Sequence, residues 1–287
     1  MNILYIVFGD KLDYHLQAYL SIRSFQKQMA ADDRIFVVTS RPDYYRHAGV
    51  TTLDVTEEQL EDWKGPHHFF FRVKIKAMEL LASKYPGRHI LYLDSDTFLC
   101  GRLSELKRRL DEGQGMMHCR EGHPGKMKGG SLKLWKTVKG HTYAGITIGE
   151  RHDMWNAGVV AVPKACVDKV VATSLAICDG MLDDGGDCFI LEQYAQSVCM
   201  SELTRLAAAD DCIGHFWGNK EEWEAVARDL LLRSYMRQST LEDELEAVTD
   251  ELLLRTPVYV HKSSTARRLH KLVDRLFPKG GFRYAKG

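Results

Sequence analysis

The chain has 287 residues, of which 45% are hydrophobic and 27% are charged, and its 39 basic and 39 acidic residues give a formal net charge of zero. These proportions are those of an ordinary globular protein, and they exclude collagen-like, low-complexity and wholly disordered chains. A zero net charge also excludes a whole-molecule field that attracts nucleic acid, so we expect no specific nucleic-acid partner.

The first ninety residues alternate between strand and helix patterns. Apolar runs at strand length and apolar residues at helical spacing predict four strands, over residues 3–8, 35–38, 50–55 and 89–93, and two helices, over 14–29 and 71–84. This alternation is typical of a parallel sheet with helices on both faces. Ligands bind such sheets beyond the carboxyl ends of the strands. The sequence therefore predicts an α/β, Rossmann-like fold.

Residues 113–150 interrupt this alternation with nine glycines and five lysines. Two interpretations stay open for this insertion. It is either a solvated excursion of loops and a hairpin or a mobile basic flap over the substrate. After it, residues 155–163 have a strand pattern, and residues 164–180 and 189–197 have helical patterns.

A helical appendage is predicted from residue 224 to residue 287, after a main domain over 1–223. Its last segment, residues 262–287, has eight basic residues against Asp274 alone, a net charge of +7, with an apolar stripe between the charges. A basic amphipathic helix of this kind suits an anionic membrane surface. The alternative is a charged helix that packs on the acidic body of the same chain.

The cysteines and the apolar runs indicate the compartment. Seven cysteines are scattered along the chain and none forms a Cys-x-x-Cys pair, which favours free thiols in a reducing compartment. The apolar start, residues 1–8, lacks the basic lead and cleavage site of a signal peptide. No run reaches the roughly 20 apolar residues of a membrane span. We expect a cytoplasmic protein, peripheral on the inner membrane face if the basic tail binds lipid.

The motif Asp94-Ser95-Asp96 directly follows an apolar predicted strand. Side chains two residues apart in extended backbone point to the same side, and two carboxylates so placed are costly unless a cation lies between them. Mg²⁺ and Mn²⁺ prefer such oxygen ligands and often share them with substrate phosphates. The motif therefore indicates a divalent cation beside a phosphate-bearing ligand.

Four further segments accompany this motif in a fixed order. Before it come Phe8-Gly9-Asp10 with Tyr14, and then Phe71-Arg72-Val73-Lys74 in the helix that leads into the motif's own strand. After it come Trp155-Asn156-Ala157-Gly158-Val159-Val160, and then His215-Phe216-Trp217-Gly218-Asn219-Lys220 with Trp223. Over about residues 1–223 the set resembles the metal-dependent glycosyltransferases of the GT-A fold, most closely glycosyltransferase family 8. The resemblance implies a GT-A fold, a nucleotide-sugar donor that is UDP-linked, and a retaining hexosyl transfer to a glycan or lipid-linked acceptor such as a lipopolysaccharide core.

The resemblance also implies a role for each matching residue. Asp94, Asp96 and His215 hold Mn²⁺ or Mg²⁺. The donor site takes Phe8, Gly9, Asp10, Tyr14, Arg72, Ser95, Gly218 and Lys220, where Arg72 either orients the carboxylates or binds phosphate and Lys220 neutralises the leaving diphosphate. Asn156 contacts sugar hydroxyls, and Asp187 lies under the reacting carbon. Asp187-Cys188-Phe189 departs from the family's Asp-Gln-Asp, and Glu192-Gln193 are possible replacements.

Several alternatives remain at this stage. His215 has a competitor in His261, and a histidine beside two aromatic residues also suits a packed core. Leu93-Asp94-Ser95-Asp96-Thr97 fits the Asp-x-Asp-x-Thr pattern of haloacid-dehalogenase-type phosphohydrolases, although that motif normally follows the first strand. A third possibility is a non-catalytic module that binds nucleotides or glycans.

Overall fold

The structure, a computed structural model, describes residues 1–261, 269, 272–273 and 275–277. Its strands are β1 Asn2–Val7, β2 Arg34–Thr39, β3 Thr51–Asp54, β4 Ile90–Leu93, β5 Thr97–Leu99, β6 Met116–Met117, β7 Arg120–Gly122, β8 Thr142–Tyr143, β9 Ile146–Thr147, β10 Met154–Trp155, β11 Val159–Val162, β12 Ala207–Ala208 and β13 Ile213–His215. Its helices are α1 Leu12–Gln26, α2 Glu57–Lys64, α3 Arg72–Lys84, α4 Leu103–Asp111, α5 Gly130–Val138, α6 Val167–Asp183, α7 Leu191–Leu203, α8 Lys220–Arg237, α9 Leu241–Ala247 and α10 Asp250–Arg255. Short 3₁₀ helices span Pro42–Tyr45 and Pro124–Lys126.

The central sheet has seven strands in the order β12-β6-β11-β4-β1-β2-β3. β1 is parallel to β2 and β4, β2 to β3, and β12 to β6, whereas β11 is antiparallel to both β4 and β6. Six strands therefore share one direction and β11 opposes them. This mostly parallel sheet confirms the predicted α/β fold class. It also brings the amino end of β11 beside the carboxyl end of β4.

Two apolar layers cover the faces of this sheet, because side chains alternate along each strand. Tyr92 and Val160 point into a layer that includes the buried sides of α3, α6 and α7. Leu91 and Val159 point into the opposite layer, with α1 and α4. The central strands are therefore buried on both faces, which explains why they read in the sequence as short continuous apolar runs.

The C-terminal helices pack on the sheet domain through a third apolar cluster. Leu20 of α1 and Phe98 of β5 meet Trp223 of α8, Val248 and Leu253, and the rings of Phe98 and Trp223 stack with centroids 4.5 Å apart. The predicted domain boundary after residue 223 falls inside α8. That helix begins at a residue of the candidate site and continues into the appendage.

The glycine-rich insertion contains more secondary structure than loops and a hairpin. The predicted hairpin is present as β8 and β9, but α5 was not predicted, because its glycines and lysines obscure the helical spacing of Leu134, Trp135 and Val138. Those three side chains are buried in the core. The insertion is thus tied to the body of the protein along α5.

The basic tail predicted over 262–287 lies largely outside the described residues. Within the part that the structure describes, no helix combines the length and the apolar character that crossing a bilayer requires.

Candidate metal and donor site

Strand pairing brings three distant segments together at the carboxyl end of β4. The backbone N–H of Asp94 donates to the carbonyl of Gly158 (2.8 Å), just before β11. Two residues further on, β5 pairs antiparallel with β13, and the N–H of Phe216 donates to the carbonyl of Asp96 (2.9 Å). His215 therefore lies beside Asp96. One ligand atom from each of Asp94, Asp96 and His215 lies within 4.8 Å of the others.

Two lysines neutralise the carboxylates of this cluster. Lys74 Nζ lies 2.9 Å from an Asp94 oxygen, and Lys220 Nζ lies 2.7 Å from an Asp96 oxygen. Burial opposes ionisation of Asp96, but His215 in its protonated form and Lys220 outweigh burial and hold the Asp96 pKa well below its usual range. Burial likewise disfavours the charged form of Lys74, yet the charges of Asp94 and Glu192 raise its pKa. Asp96 and Lys74 are therefore both charged at neutral pH.

Asn156 fixes which nitrogen of His215 carries a proton. Its Oδ1 accepts from the backbone N–H of Gly158 (3.0 Å), and its Nδ2 donates to Glu121 (3.0 Å), so the orientation of the amide is defined. The same Oδ1 lies 3.1 Å from His215 Nδ1, which must then be the protonated nitrogen. In the neutral imidazole, the lone pair therefore resides on Nε2, which faces Asp96.

This donor set fits a divalent cation. His215 Nε2 and Asp96 Oδ1 are 3.2 Å apart and both are acceptors in this tautomer, so a positive partner, a proton or a metal ion, has to lie between them. Two carboxylates and one imidazole suit Mn²⁺, and the Asn156 contact is the kind of supporting hydrogen bond that metal-ligating histidines make. Asp94, Asp96 and His215 are thus the residues that would hold the metal.

Gly158 is required by close packing against the histidine. A Cβ atom at this position would lie 2.2 Å from His215 Cε1, so any side chain would displace the imidazole. The Asn-Ala-Gly sequence of residues 156–158 thereby serves one purpose: the asparagine orients the ring and the glycine leaves room for it.

A cavity of about 770 Å³ opens over the three ligands, within the size range of small-molecule sites. Its walls come from the ends of β1, β4 and β13, the start of α3 and the turn before α7. Of the residues predicted for the site, the cavity is lined by Phe8, Tyr14, Asp94, Ser95, Asp96, Asn156, His215 and Lys220. Those outside the lining are Gly9, Asp10, Arg72, Asp187 and Gly218.

Arg72 faces away from the cavity. Its guanidinium forms a bidentate ion pair with Asp179 of α6 (2.7 and 3.0 Å) and donates to the carbonyl of Trp63 in α2 (2.8 Å). Arg72 therefore links α3 to α6 and α2. Lys74, two residues further along α3, contacts Asp94 instead. Residues i and i+2 of a helix point in nearly opposite directions, so the two cations serve opposite faces of α3.

The other predicted residues outside the lining have identifiable surroundings. Asp10 is exposed and pairs with Arg41, and Asp187 is exposed in the turn that precedes α7. Gly218 packs against the ring of Tyr259. His261 is exposed, and the metal-ligand cluster found among the described residues contains His215 instead.

Glu121 was not predicted for the site, and Gln193 was named only together with Glu192, as a replacement for the family's Asp-Gln-Asp. Glu121 of β7 accepts from Asn156 Nδ2 and from Gln193 Nε2, each at 3.0 Å, and both residues line the cavity. Glu192, the neighbour of Gln193, is instead buried, and burial raises its pKa to about 7. Helix periodicity separates such neighbours, but only the packing of α7 shows which of them faces the cavity.

Solved structures similar to this chain include glycosyltransferases. The galactosyltransferase LgtC, in complex with donor and acceptor sugar analogs, is 14% identical with a TM-score of 0.43, over 73% of each chain. Mouse xyloside xylosyltransferase 1 is 11% identical with a TM-score of 0.47, over 72% of this chain and 85% of its own. The bifunctional glycosyltransferase WbbM is 12% identical with a TM-score of 0.43, over 72% of this chain and 38% of its own. No protein-family model and no curated protein matches the sequence.

Proposed function

We propose that this protein is a metal-dependent glycosyltransferase that moves a hexose from a UDP-linked donor to a glycan or lipid-linked acceptor, with retention at the anomeric carbon. The observation that carries the proposal is the Asp94–Asp96–His215 cluster at the floor of the cavity. The tautomer of His215 set by Asn156 supports it, because it presents a free nitrogen lone pair to the same point as the two carboxylates.

The chain's own residues define the work that this site would do. A divalent ion held there supplies positive charge to the leaving diphosphate. Lys220, whose side chain is 44% exposed, would exchange Asp96 for a phosphate oxygen and stabilise the same developing charge. Lys74 holds the carboxylate of Asp94 in position.

One polar group in the cavity wall suits sugar hydroxyls. Glu121, Asn156 and Gln193 form one hydrogen-bonded group, and carboxylate and amide groups together supply the acceptors and donors that hydroxyls need. Phe8 and Tyr14, at the end of β1, line the part of the cavity where a nucleobase would pack. We therefore place the base near β1 and the transferred sugar near Asn156.

The experiment that tests the function measures binding and turnover separately. UDP should raise the melting temperature with Mn²⁺ present and leave it unchanged after chelation, since a ligand stabilises only the form that it binds. A panel of UDP-sugars should then show slow metal-dependent release of UDP from one donor. Asp96→Asn should abolish both responses, whereas Asp229→Asn, an exposed acid on α8, should abolish neither. UDP binding that ignores Mn²⁺ would overturn the proposal.

For the acceptor, we propose a glycan at an anionic membrane surface, reached through the basic segment 262–287. Its net charge of +7 in the sequence supports this, since each basic residue near such a surface contributes about 1 kcal/mol. Co-sedimentation with phosphatidylglycerol vesicles should exceed that with phosphatidylcholine vesicles and decline as salt rises. Equal binding to both vesicle types would contradict the membrane proposal and leave the donor site unaffected.

A further inference from the structure

A short loop joins His215 to Lys220, and among the described residues no strand of the central sheet pairs with it. His215 is the last residue of β13 and is fixed by pairing with β5, and Lys220 is the first residue of α8. Of the four residues between them, Phe216 is anchored by its N–H to the carbonyl of Asp96 (2.9 Å). The conformation of the other three, 217–219, sets the distance and direction from the imidazole to the ammonium group. A site that must present both groups to one diphosphate depends on that conformation.

The contacts that hold this loop come from the C-terminal segment 257–259. The carbonyl of Pro257 accepts from Asn219 Nδ2 (2.8 Å) and from Trp223 Nε1 (3.1 Å). Gly218 forms a parallel β-bridge with Tyr259. The segment therefore ties both the loop and the first turn of α8 from outside the sheet domain.

The side chain of Tyr259 adds packing to these hydrogen bonds. A Cβ on Gly218 would lie 2.1 Å from Tyr259 Cδ2, so the ring rests directly on the glycine backbone. The ring of Trp217, which lines the cavity mouth, lies 5.1 Å from the Tyr259 ring. Tyr259 is half exposed, so it contributes little to the core, and its contacts concentrate on this loop.

We propose that Tyr259 is a positioning residue for diphosphate binding: its ring clamps the loop 217–219 so that His215 and Lys220 address the same ligand. The proposal rests on the proposed function, and it assigns to the C-terminal segment a part in the donor site itself. The resemblance implies that Gly218 lets the backbone approach the donor phosphates. We infer instead that the glycine makes room for the tyrosine ring.

Calorimetric titration of UDP in the presence of Mn²⁺ tests the clamp. Tyr259→Ala should raise the Kd of UDP about tenfold, while Tyr259→Phe, which keeps the ring and loses only the hydroxyl, should match the wild type. Melting temperatures measured without ligand separate a folding defect from a positioning defect. A Tyr259→Ala protein that binds UDP as the wild type does would overturn the proposal.

A double-variant comparison distinguishes the two explanations of Gly218. Gly218→Ala alone should weaken UDP binding, because the added methyl pushes the tyrosine ring away. In the Tyr259→Ala background the same methyl meets no ring, so Gly218→Ala should cause no further loss. An equal loss in both backgrounds would show that the glycine faces phosphate, and would refute the clamp. If the wild type itself shows no metal-dependent UDP binding, the proposed function fails instead.

Discussion

Replacing Asn156 with leucine tests the idea that this residue orients His215 in the candidate metal site. Asn156 Oδ1 accepts from the His215 ring (3.1 Å) and from the backbone N–H of Gly158 (3.0 Å). Leucine has a similar volume but no acceptor, so the ring loses the partner that fixes its tautomer and plane. The substitution leaves all three metal ligands in the chain, and any loss of affinity then reports on orientation.

The size of the effect follows from the two hydrogen bonds that Asn156 Oδ1 accepts, since the third, from Nδ2 to Glu121, does not reach the histidine. Removing a hydrogen-bond partner of a metal-ligating histidine lowers metal affinity about 10- to 100-fold, which corresponds to about 1.4–2.7 kcal/mol. The buried N–H of Gly158 also loses its acceptor, at a cost of about 1–3 kcal/mol in folding free energy. We therefore expect Asn156→Leu to fold less stably and to bind Mn²⁺ markedly more weakly.

Titration calorimetry with Mn²⁺, at a temperature where both proteins are folded, measures this difference. Gln193→Leu is the matched control, because the Gln193 amide donates to Glu121 (3.0 Å) as Asn156 does, while its oxygen accepts from the N–H of Ala157 (3.3 Å) instead of the imidazole. The control should keep its Mn²⁺ affinity. An Asn156→Leu affinity within twofold of the wild type, or an equal loss in both variants, would refute the orientation argument.

Three further substitutions probe the surroundings of the site. Lys74→Met leaves the half-buried carboxylate of Asp94 without its cation. Urea unfolding should show that the free energy of unfolding is lower by about 2–4 kcal/mol. Burial raises the pKa of Glu192 from 4.5 to about 7, so the folded state binds the Glu192 proton more tightly than the unfolded state does. The free energy of unfolding of the wild type should therefore fall by up to about 3 kcal/mol as the pH rises through this range. In Glu192→Gln, stability measured across the same range should lack that decline. Gly158→Ala should displace the His215 ring, and calorimetry should find Mn²⁺ binding weakened more than tenfold.

Local sequence patterns predicted the elements of the sheet domain well. The four predicted strands of the first half correspond to β1–β4, and the predicted helices correspond to α1 and α3. These elements are buried on one face or on both, so hydrophobic periodicity reports them directly. The Asp94-Ser95-Asp96 motif could also be recognised from the sequence, because the prediction of a cation site needs only the motif and the strand that precedes it.

The remaining features depend on contacts between distant segments. The first turn of α3 carries Arg72 and Lys74, and only the packing of α6 shows that Asp179 pairs with Arg72. Likewise, the residues of β11 do not indicate that this strand runs antiparallel to its neighbours. That direction places Asn156 and Gly158 beside His215. The resemblance identified these residues as candidates for the site, but their contacts became clear only from the way the strands pair in the structure.

The charges around the cavity indicate the order in which ligands bind. The lining contains three carboxylates, on Asp94, Asp96 and Glu121, and two lysines, Lys74 and Lys220. With a neutral histidine its net charge is −1, which disfavours a diphosphate. One divalent cation changes that charge to +1, so the same walls then attract the diphosphate instead of repelling it. The metal should therefore bind before UDP, and raising the salt concentration should weaken UDP binding to the metal-loaded protein.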